Sequence, residues 1–180
     1  MSMELDPRAL LAITAPLVGA AWPVLSGLAL FLGRPLSERA TCRGTAAHAL
    51  ALLGLAIANT VLLLRSGSAF HHELPPWFNS GGYHFNTSVL FDGFSAVYAL
   101  LTAAIYGVIA RFSFQYLHRE KGFNRFFLLF SLLAAALTLV SYSGNFDMLF
   151  AGWELAGISS VMLISFFREN TRSAQNSLRA

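Results

Sequence analysis

Charge is scarce in this sequence: 12% of its 180 residues are Asp, Glu, Lys or Arg, whereas 56% are hydrophobic and the mean hydropathy is +0.58. That balance excludes a water-soluble globular chain and defines an integral membrane protein. Cysteine is nearly missing. Cys42 is the single one, so the chain makes no internal disulfide and holds no four-cysteine iron–sulfur cluster by itself. Lysine is equally rare, with Lys121 alone. A glycine-rich dinucleotide fingerprint, a P-loop and an H-E-x-x-H zinc helix are all absent, so any redox or nucleotide chemistry belongs to a partner. No internal repeat or low-complexity tract stands out. No soluble basic module exists either, so the pI near 9.4 and the net charge of +3 do not point to nucleic acid.

What the sequence has in abundance is apolar runs of membrane-crossing length. Five can be drawn, Ala9–Gly33, Gly44–Leu64, Val89–Ala110, Phe126–Tyr142 and Phe146–Phe167, each bounded by charge, Pro or Gly. The expected architecture is therefore all-α, a polytopic bundle of about five transmembrane helices. The first run is too long for a secretory signal core and follows Glu4 and Asp6 as well as Arg8, so it is expected to stay in the mature protein. The fourth and fifth runs are joined by only Ser143, Gly144 and Asn145, which implies a tight helical hairpin.

Arginine and lysine alternate by loop. Arg34, Arg39 and Arg43 follow the first run, Arg111, Arg119, Lys121 and Arg125 the third, and Arg168, Arg172 and Arg179 the fifth, against Arg8 and Arg65 on the other side. The positive-inside bias puts the N-terminus outside and the C-terminus in the cytoplasm. The long connection Ser66–Ser88 then faces outward. It is rich in turn residues, and the alternation of Tyr83, Phe85, Thr87 and Val89 suits a short surface strand.

Histidines offer two chemistries. His71, His72, Glu73 and His84 lie in the outer loop, but adjacent histidines diverge in most backbones and no ligand spacing recurs, so no resident metal is expected. His48 and His118 are expected near the cytoplasmic ends of the second and third helices. A bis-histidine haem is one reading, and an interfacial histidine bonded to headgroups or backbone is the blander one.

Glu154 is the residue that stands apart, a carboxylate deep inside the run Phe146–Phe167. A charge at mid-bilayer costs about 2.5–3.5 kcal/mol on insertion scales, which makes it a functional candidate. On a helix it shares a face with Phe150, Ala151, Gly157, Ile158 and Val161, whereas Gly152, Ala156 and Ser160 form a small-residue stripe that invites close helix packing. Two roles fit the residues: a proton relay loaded and unloaded against a mobile cation, or a fixed polar tie to Ser159, Ser160 or an arginine. Asp92 reads as the N-cap of the third helix, and Arg125 and Trp153 read as interface anchors.

The stretches Phe91-Asp92-Gly93-Phe94-Ser95, Phe112-Ser113, Tyr116 to Glu120, Arg125-Phe126-Phe127, and Asn145 with Leu149 to Glu154 and Gly157 to Ser160 resemble one family. They are similar to the antiporter-like membrane subunits of NADH:quinone oxidoreductase (complex I), most closely the L subunit, and to their relatives in Mrp-type cation/proton antiporters. The resemblance implies a proton-channel role for Glu154, supported by Trp153, Gly157, Ser160, Asp92 and Arg125. It also implies no cofactor of the chain's own, and partners among other membrane subunits of a larger complex in the bacterial cell membrane. Residues 1–88 would form a two-helix segment with the outer loop, and residues 89–180 the start of the antiporter-like domain. Family members are much longer, and the lysine paired with the glutamate lies on a later helix, so this chain is expected to be the N-terminal part of a transporter. The run Tyr116 to Phe127, followed by Ser165 to Glu169, is also similar to the membrane subunit of inorganic-carbon accumulating complexes, whose partner is a large soluble zinc protein. A haem-binding cytochrome subunit and a structural membrane anchor are the readings from other classes.

Overall fold

The computed structural model describes residues 7–76 and 78–166. Its framework is five helices, α1 (Pro7–Phe31), α2 (Glu38–Ser66), α3 (Gly93–Tyr116), α4 (Phe123–Ser141) and α5 (Phe146–Ile164), each long and apolar enough to cross a bilayer. Between α2 and α3 lie four short strands, β1 (Phe70–Glu73), β2 (Phe78–Ser80), β3 (Tyr83–Phe85) and β4 (Ser88–Phe91). The order is nested: β1 pairs antiparallel with β4, Phe70 opposite Phe91, and β2 with β3, Phe78 opposite Phe85. Glu4, Asp6, the end of the fifth run at Phe167, and Arg168, Glu169, Arg172 and Arg179 lie outside the described residues.

Capping chemistry moves several boundaries away from those drawn on hydropathy. Helix α2 starts at Glu38 because Ser37, in extended conformation, accepts a hydrogen bond from the Ala40 N–H at 3.3 Å. Arg39 and Arg43, assigned to the loop by charge, therefore ride on the helix. Helix α3 starts at Gly93, where Asp92 caps it, and residues Val89–Phe91 form strand instead of helix. It then runs past Arg111 to Tyr116.

Small side chains recur where the helices pack, and the buried aromatics Tyr106, Phe127, Phe130 and Tyr142 fill the space between them. The small residues include Ala9, Ala12 and Ala15 of α1, Ala49 and Ala56 of α2, Ala96, Ala99 and Ala103 of α3, and Ala134 to Ala136 of α4. Leu17, Val24, Phe31, Leu50, Phe94, Val97, Val108 and Phe112 point outward. Water would leave so large an apolar surface unpaired, whereas lipid solvates it and small residues let the helix backbones approach. At Gly44 the Trp22 ring of α1 occupies the space a Cβ would need.

Helix α4 is the hub, packed against α1, α2, α3 and α5, while α5 rests chiefly on α4. The α4–α5 turn is stitched to β4: Gly144 N–H donates to Ser88 O at 2.8 Å, Leu90 N–H to Tyr142 O at 3.1 Å, and Asn145 Nδ2 to Asn86 O at 2.5 Å. Asn145 also caps α5, its Oδ1 accepting from Met148 N–H at 2.9 Å. At the opposite end, Thr41 donates to Asn124 Oδ1 at 2.6 Å and Asn124 donates to Leu36 O at 2.8 Å, so the α1–α2 and α3–α4 connections lie together.

The stripe Gly152, Ala156 and Ser160 does bring α5 close to α4, most tightly at Gly152. A Cβ there would meet Val140 Cγ2 at 2.8 Å, Val140 N at 3.1 Å and Ala136 O at 3.2 Å. Backbone cannot swing aside, so Gly152→Ala is expected to destabilise the bundle by about 1–3 kcal/mol. Gly54→Ala, where a Cβ meets nothing within 4 Å, is the control. Thermal melts of the two variants in detergent check this; equal midpoints would contradict the close packing.

Candidate functional site

Asn145 starts α5 and thereby fixes the depth of Glu154, about 12 Å along the axis at 1.5 Å per residue. The helix has 19 residues, so the carboxylate stands near its middle. Gly152 and Ser159 face α4 and are buried, which turns Trp153, Glu154, Gly157 and Ile158 to the open side. Trp153 is 70% exposed, too much for a bulky side chain in the packed interior.

Two shallow grooves meet on this side. One, of about 350 Å³, is lined by Trp153, Glu154, Gly157, Ile158, Val161 and Met162. The other, of about 340 Å³, includes Tyr98, Leu137, Val140, Ala156 and Ser160, and shares Trp153 and Gly157 with the first. A Cβ on Gly157 would meet nothing within 4 Å, so the glycine keeps the space beside the carboxylate clear.

The polar tie weighed for Glu154 is not built among the described residues. Ser159 Oγ donates to Ala156 O at 3.0 Å and Ser160 Oγ to Gly157 O at 2.8 Å, so each hydroxyl is satisfied by its own helix. Arg125 is engaged elsewhere: its Nη2 donates to Phe166 O at 2.6 Å and its guanidinium lies 5.3 Å from the Phe166 ring centroid. That contact anchors the C-terminal end of α5 against the start of α4, where a cation complements the free helix carbonyls.

The histidines separate. His118 lies at the bundle end, its Nδ1 2.8 Å from Glu38 Oε2, while the same carboxylate accepts the Arg119 N–H at 3.1 Å. His48 is not interfacial: with α2 beginning at Glu38 it stands about 15 Å along the helix, buried, with Nδ1 3.1 Å from the Tyr106 hydroxyl. The haem reading placed the two on one iron, and the structure gives them different partners. In the loop, His71 and His72 alternate across β1, and His84 Nδ1 donates to Asn79 Oδ1 at 2.7 Å. Among the described residues no three His, Cys, Asp or Glu side chains converge.

The interior polar pairs were not assembled from sequence. Thr45 accepts from Trp22 Nε1 at 3.1 Å, His48 meets Tyr106, and Asn59 Nδ2 lies 3.4 Å from the Tyr142 hydroxyl. The available signal was the helical spacing of Thr41, Thr45, His48 and Asn59 on one buried face of α2.

Fold and site define an integral membrane protein of five apolar helices with a carboxylate at mid-span on an open helix face. The family described as NADH-ubiquinone oxidoreductase (complex I), chain 5 N-terminus, matches residues 77–127. The chain is 30% identical over 173 residues to NADH-quinone oxidoreductase subunit L of Mycobacterium tuberculosis, covering 94% of this chain and 26% of that one. It is 28% identical over 142 residues to subunit L of Neisseria meningitidis serogroup A, covering 74% and 21%. With NADH-ubiquinone oxidoreductase chain 5 of Debaryomyces hansenii it shares 29% over 108 residues, covering 60% and 18%. The chain is similar to the N-terminal portion of the complex I membrane subunits of the L and chain 5 type. It spans between about a fifth and a quarter of the length of the curated relatives it matches.

Asp92 occupies a capping position. Its Oδ1 accepts the Ser95 N–H at 2.8 Å, and that hydrogen bond holds the carboxyl below the ordinary carboxylate range. A depressed folded value means the cap's contribution is present above the unfolded value of about 3.9 and is lost as pH falls through the lower folded one. Asp92→Ala is expected to cost about 0.5–2 kcal/mol at neutral pH, and Asp92→Asn much less. Melting curves between pH 7 and pH 3 should show the acid-labile part disappear in Asp92→Asn; an unchanged acid response would contradict the cap.

Proposed function

We propose that this chain supplies the N-terminal helices of a proton-translocating, antiporter-like membrane subunit, with Glu154 as its protonatable group. The observation that carries the reading is the position of Glu154: mid-span, exposed on α5 between Trp153 and Gly157, with no hydrogen bond or ion pair from any described residue. An unpaired carboxylate facing lipid costs about 2.5–3.5 kcal/mol, so the open side of α5 must be covered by protein in the working assembly.

The covering element is a further membrane helix that brings a cation, because Lys121 and the described arginines lie toward the helix ends or in the connections. In hydrocarbon a carboxyl alone favours its neutral, protonated form, and an approaching ammonium favours the anion. Moving the cation toward and away from Glu154 would release and recapture one proton per cycle. Gly157 leaves room for water or the partner side chain, Trp153 divides the two grooves, and Ser160, bonded to its own helix, lines the second. Arg125 holds the end of α5, and Asp92 fixes the start of α3. Residues from 89 onward begin the antiporter-like unit, and residues 1–88 buttress it.

In the full-length protein within its native complex, Glu154→Gln is expected to leave assembly unchanged and reduce proton-coupled activity to background. Retained coupling in a correctly assembled variant would return Glu154 to a packing role. Mass spectrometry of the same complex separates the branches: complex I subunits support this reading, and a large soluble zinc protein would reassign the chain to inorganic-carbon accumulation.

The N-terminus is assigned to the outside of a bacterial cell membrane and the C-terminus to the cytoplasm. Support comes from the clustering of Arg34, Arg39, Arg43, Arg111, Arg119, Lys121 and Arg125 toward one end of the bundle, with Arg8 and Arg65 toward the other. A cysteine placed at Ser80 should react with a membrane-impermeant maleimide added to intact cells. Labelling only after lysis would reverse the assignment.

A further inference from the structure

The Glu154 reading uses none of the titratable chemistry buried between α1, α2, α3 and α4. His48 is the most unusual group there. It is 5% exposed, and its imidazole lies edge-on to the Tyr106 ring, with centroids 5.5 Å apart and an interplanar angle of 78°. Nδ1 is 3.1 Å from the Tyr106 hydroxyl, and Nε2 is buried with no hydrogen-bond partner among the described residues. A buried polar nitrogen left unpaired is costly enough to require a reason.

The third wall of the site is backbone. The backbone of Gly19 and Val18 in α1 faces the His48 ring. Helix α1 contains Pro23, and a proline has no N–H to give to the carbonyl four residues before it, which here is Gly19. The Gly19 carbonyl therefore lacks its usual helix donor on the wall beside His48. Carbonyls freed from helix hydrogen bonding are a recurrent means of holding a cation or proton inside a membrane, where irregular backbone persists only when protein surrounds it.

We propose that His48 is a second intramembrane proton-binding site, in which the protonated ring is held between the Tyr106 oxygen and the Gly19 carbonyl. A proton arriving at the ring makes both nitrogens donors: Nδ1–H donates to the Tyr106 oxygen and Nε2–H turns to the backbone oxygen. On release the ring returns to one donor and one acceptor nitrogen. No covalent bond other than N–H changes.

No charged side chain among the described residues is hydrogen-bonded to the ring. Helix α1 offers only Arg8 near its start, α2 carries Arg39 and Arg43 toward one end and Arg65 at the other, α3 has Arg111 near its end, and α4 has Arg125 in its first turn. Among the described residues Tyr106 is the titratable group bonded to the ring, and no carboxylate lies within the interior of these four helices. The bound proton is thus stabilised by dipoles alone, and the site is readily emptied.

The interior also holds a small void that neither His48 nor Tyr106 lines. Its volume is about 10 Å³, it is bounded by Leu52, Ala99, Ala103, Thr138 and Tyr142, and the Tyr142 hydroxyl meets Asn59. That volume is about enough for one water. Thr41, Thr45, His48 and Asn59 lie on one face of α2, and from Thr41 to Asn59 is about 27 Å along the axis, close to the thickness of the hydrocarbon layer.

The site stands apart from the Glu154 reading, and its test does not use turnover. The full-length protein, labelled with ¹⁵N-histidine and reconstituted in bilayers, is titrated by solid-state nuclear magnetic resonance, with His48→Gln assigning the signal. His48 is expected to convert reversibly from neutral to imidazolium as the pH is lowered, while the bundle stays folded. Tyr106→Phe and Pro23→Ala each remove one stabilising oxygen, the second by returning an N–H to Gly19, and each should move the conversion at least threefold lower in proton affinity. Pro23→Ala also restores a regular helix, so it keeps the test open if His48→Gln fails to fold. A ring that stays neutral until the protein unfolds, or a conversion unmoved by both variants, would overturn the proposal. The same titration in Glu154→Gln should be unaltered, which separates failure here from failure of the Glu154 relay.

Discussion

Hydrocarbon cannot hydrogen-bond, and every part of this molecule answers to that constraint. Backbone donors and acceptors must be satisfied locally, which is why the membrane-spanning parts are helices and why the strands are confined to the connection between α2 and α3. Side chains follow the same rule. Ser26, Thr60, Thr138, Ser141 and Ser159 all return their hydroxyls to carbonyls of their own helices, which lets hydroxyl residues enter the bundle without a cross-helix partner. Against that background a carboxylate on the outside of α5 is the exception that needs a cover.

The bundle is built around this exception without enclosing it. Alanines bring α1, α2 and α3 onto α4, and the short turn Tyr142–Asn145 folds α5 back along the same helix. The stitches from that turn to Ser88, Asn86 and Leu90 set where α5 begins, and Arg125 on Phe166 sets where it ends. With both ends fixed and Gly152 pressed on α4, the rotation of α5 is fixed too, and Glu154 turns away from the bundle. A buried position on α4 would have made it structural; an outward one makes it available to another helix.

The five spans were legible in the sequence because apolar length survives any error in the caps. Boundaries were less so: Ser37 and Asp92 extend α2 and delay α3 by side-chain hydrogen bonds that hydropathy does not register. The small-residue stripe correctly pointed to close packing of α5, since glycine spacing carries that information directly. His48 was misplaced because the helix start was misplaced, and its partner Tyr106 lies 58 residues away with no periodic signal to join them. The open side of Glu154 could not be read either, because a stripe shows which face packs but not what covers the rest.

The most direct measurement is infrared difference spectroscopy of the intact complex containing the full-length protein, comparing resting and energised states. If Glu154 is the protonatable group, a protonated-carboxyl band changes intensity between the two states, shifts when glutamate is ¹³C-labelled, and is missing in Glu154→Gln. Difference spectra that are identical with and without the Glu154 carboxyl would contradict the account.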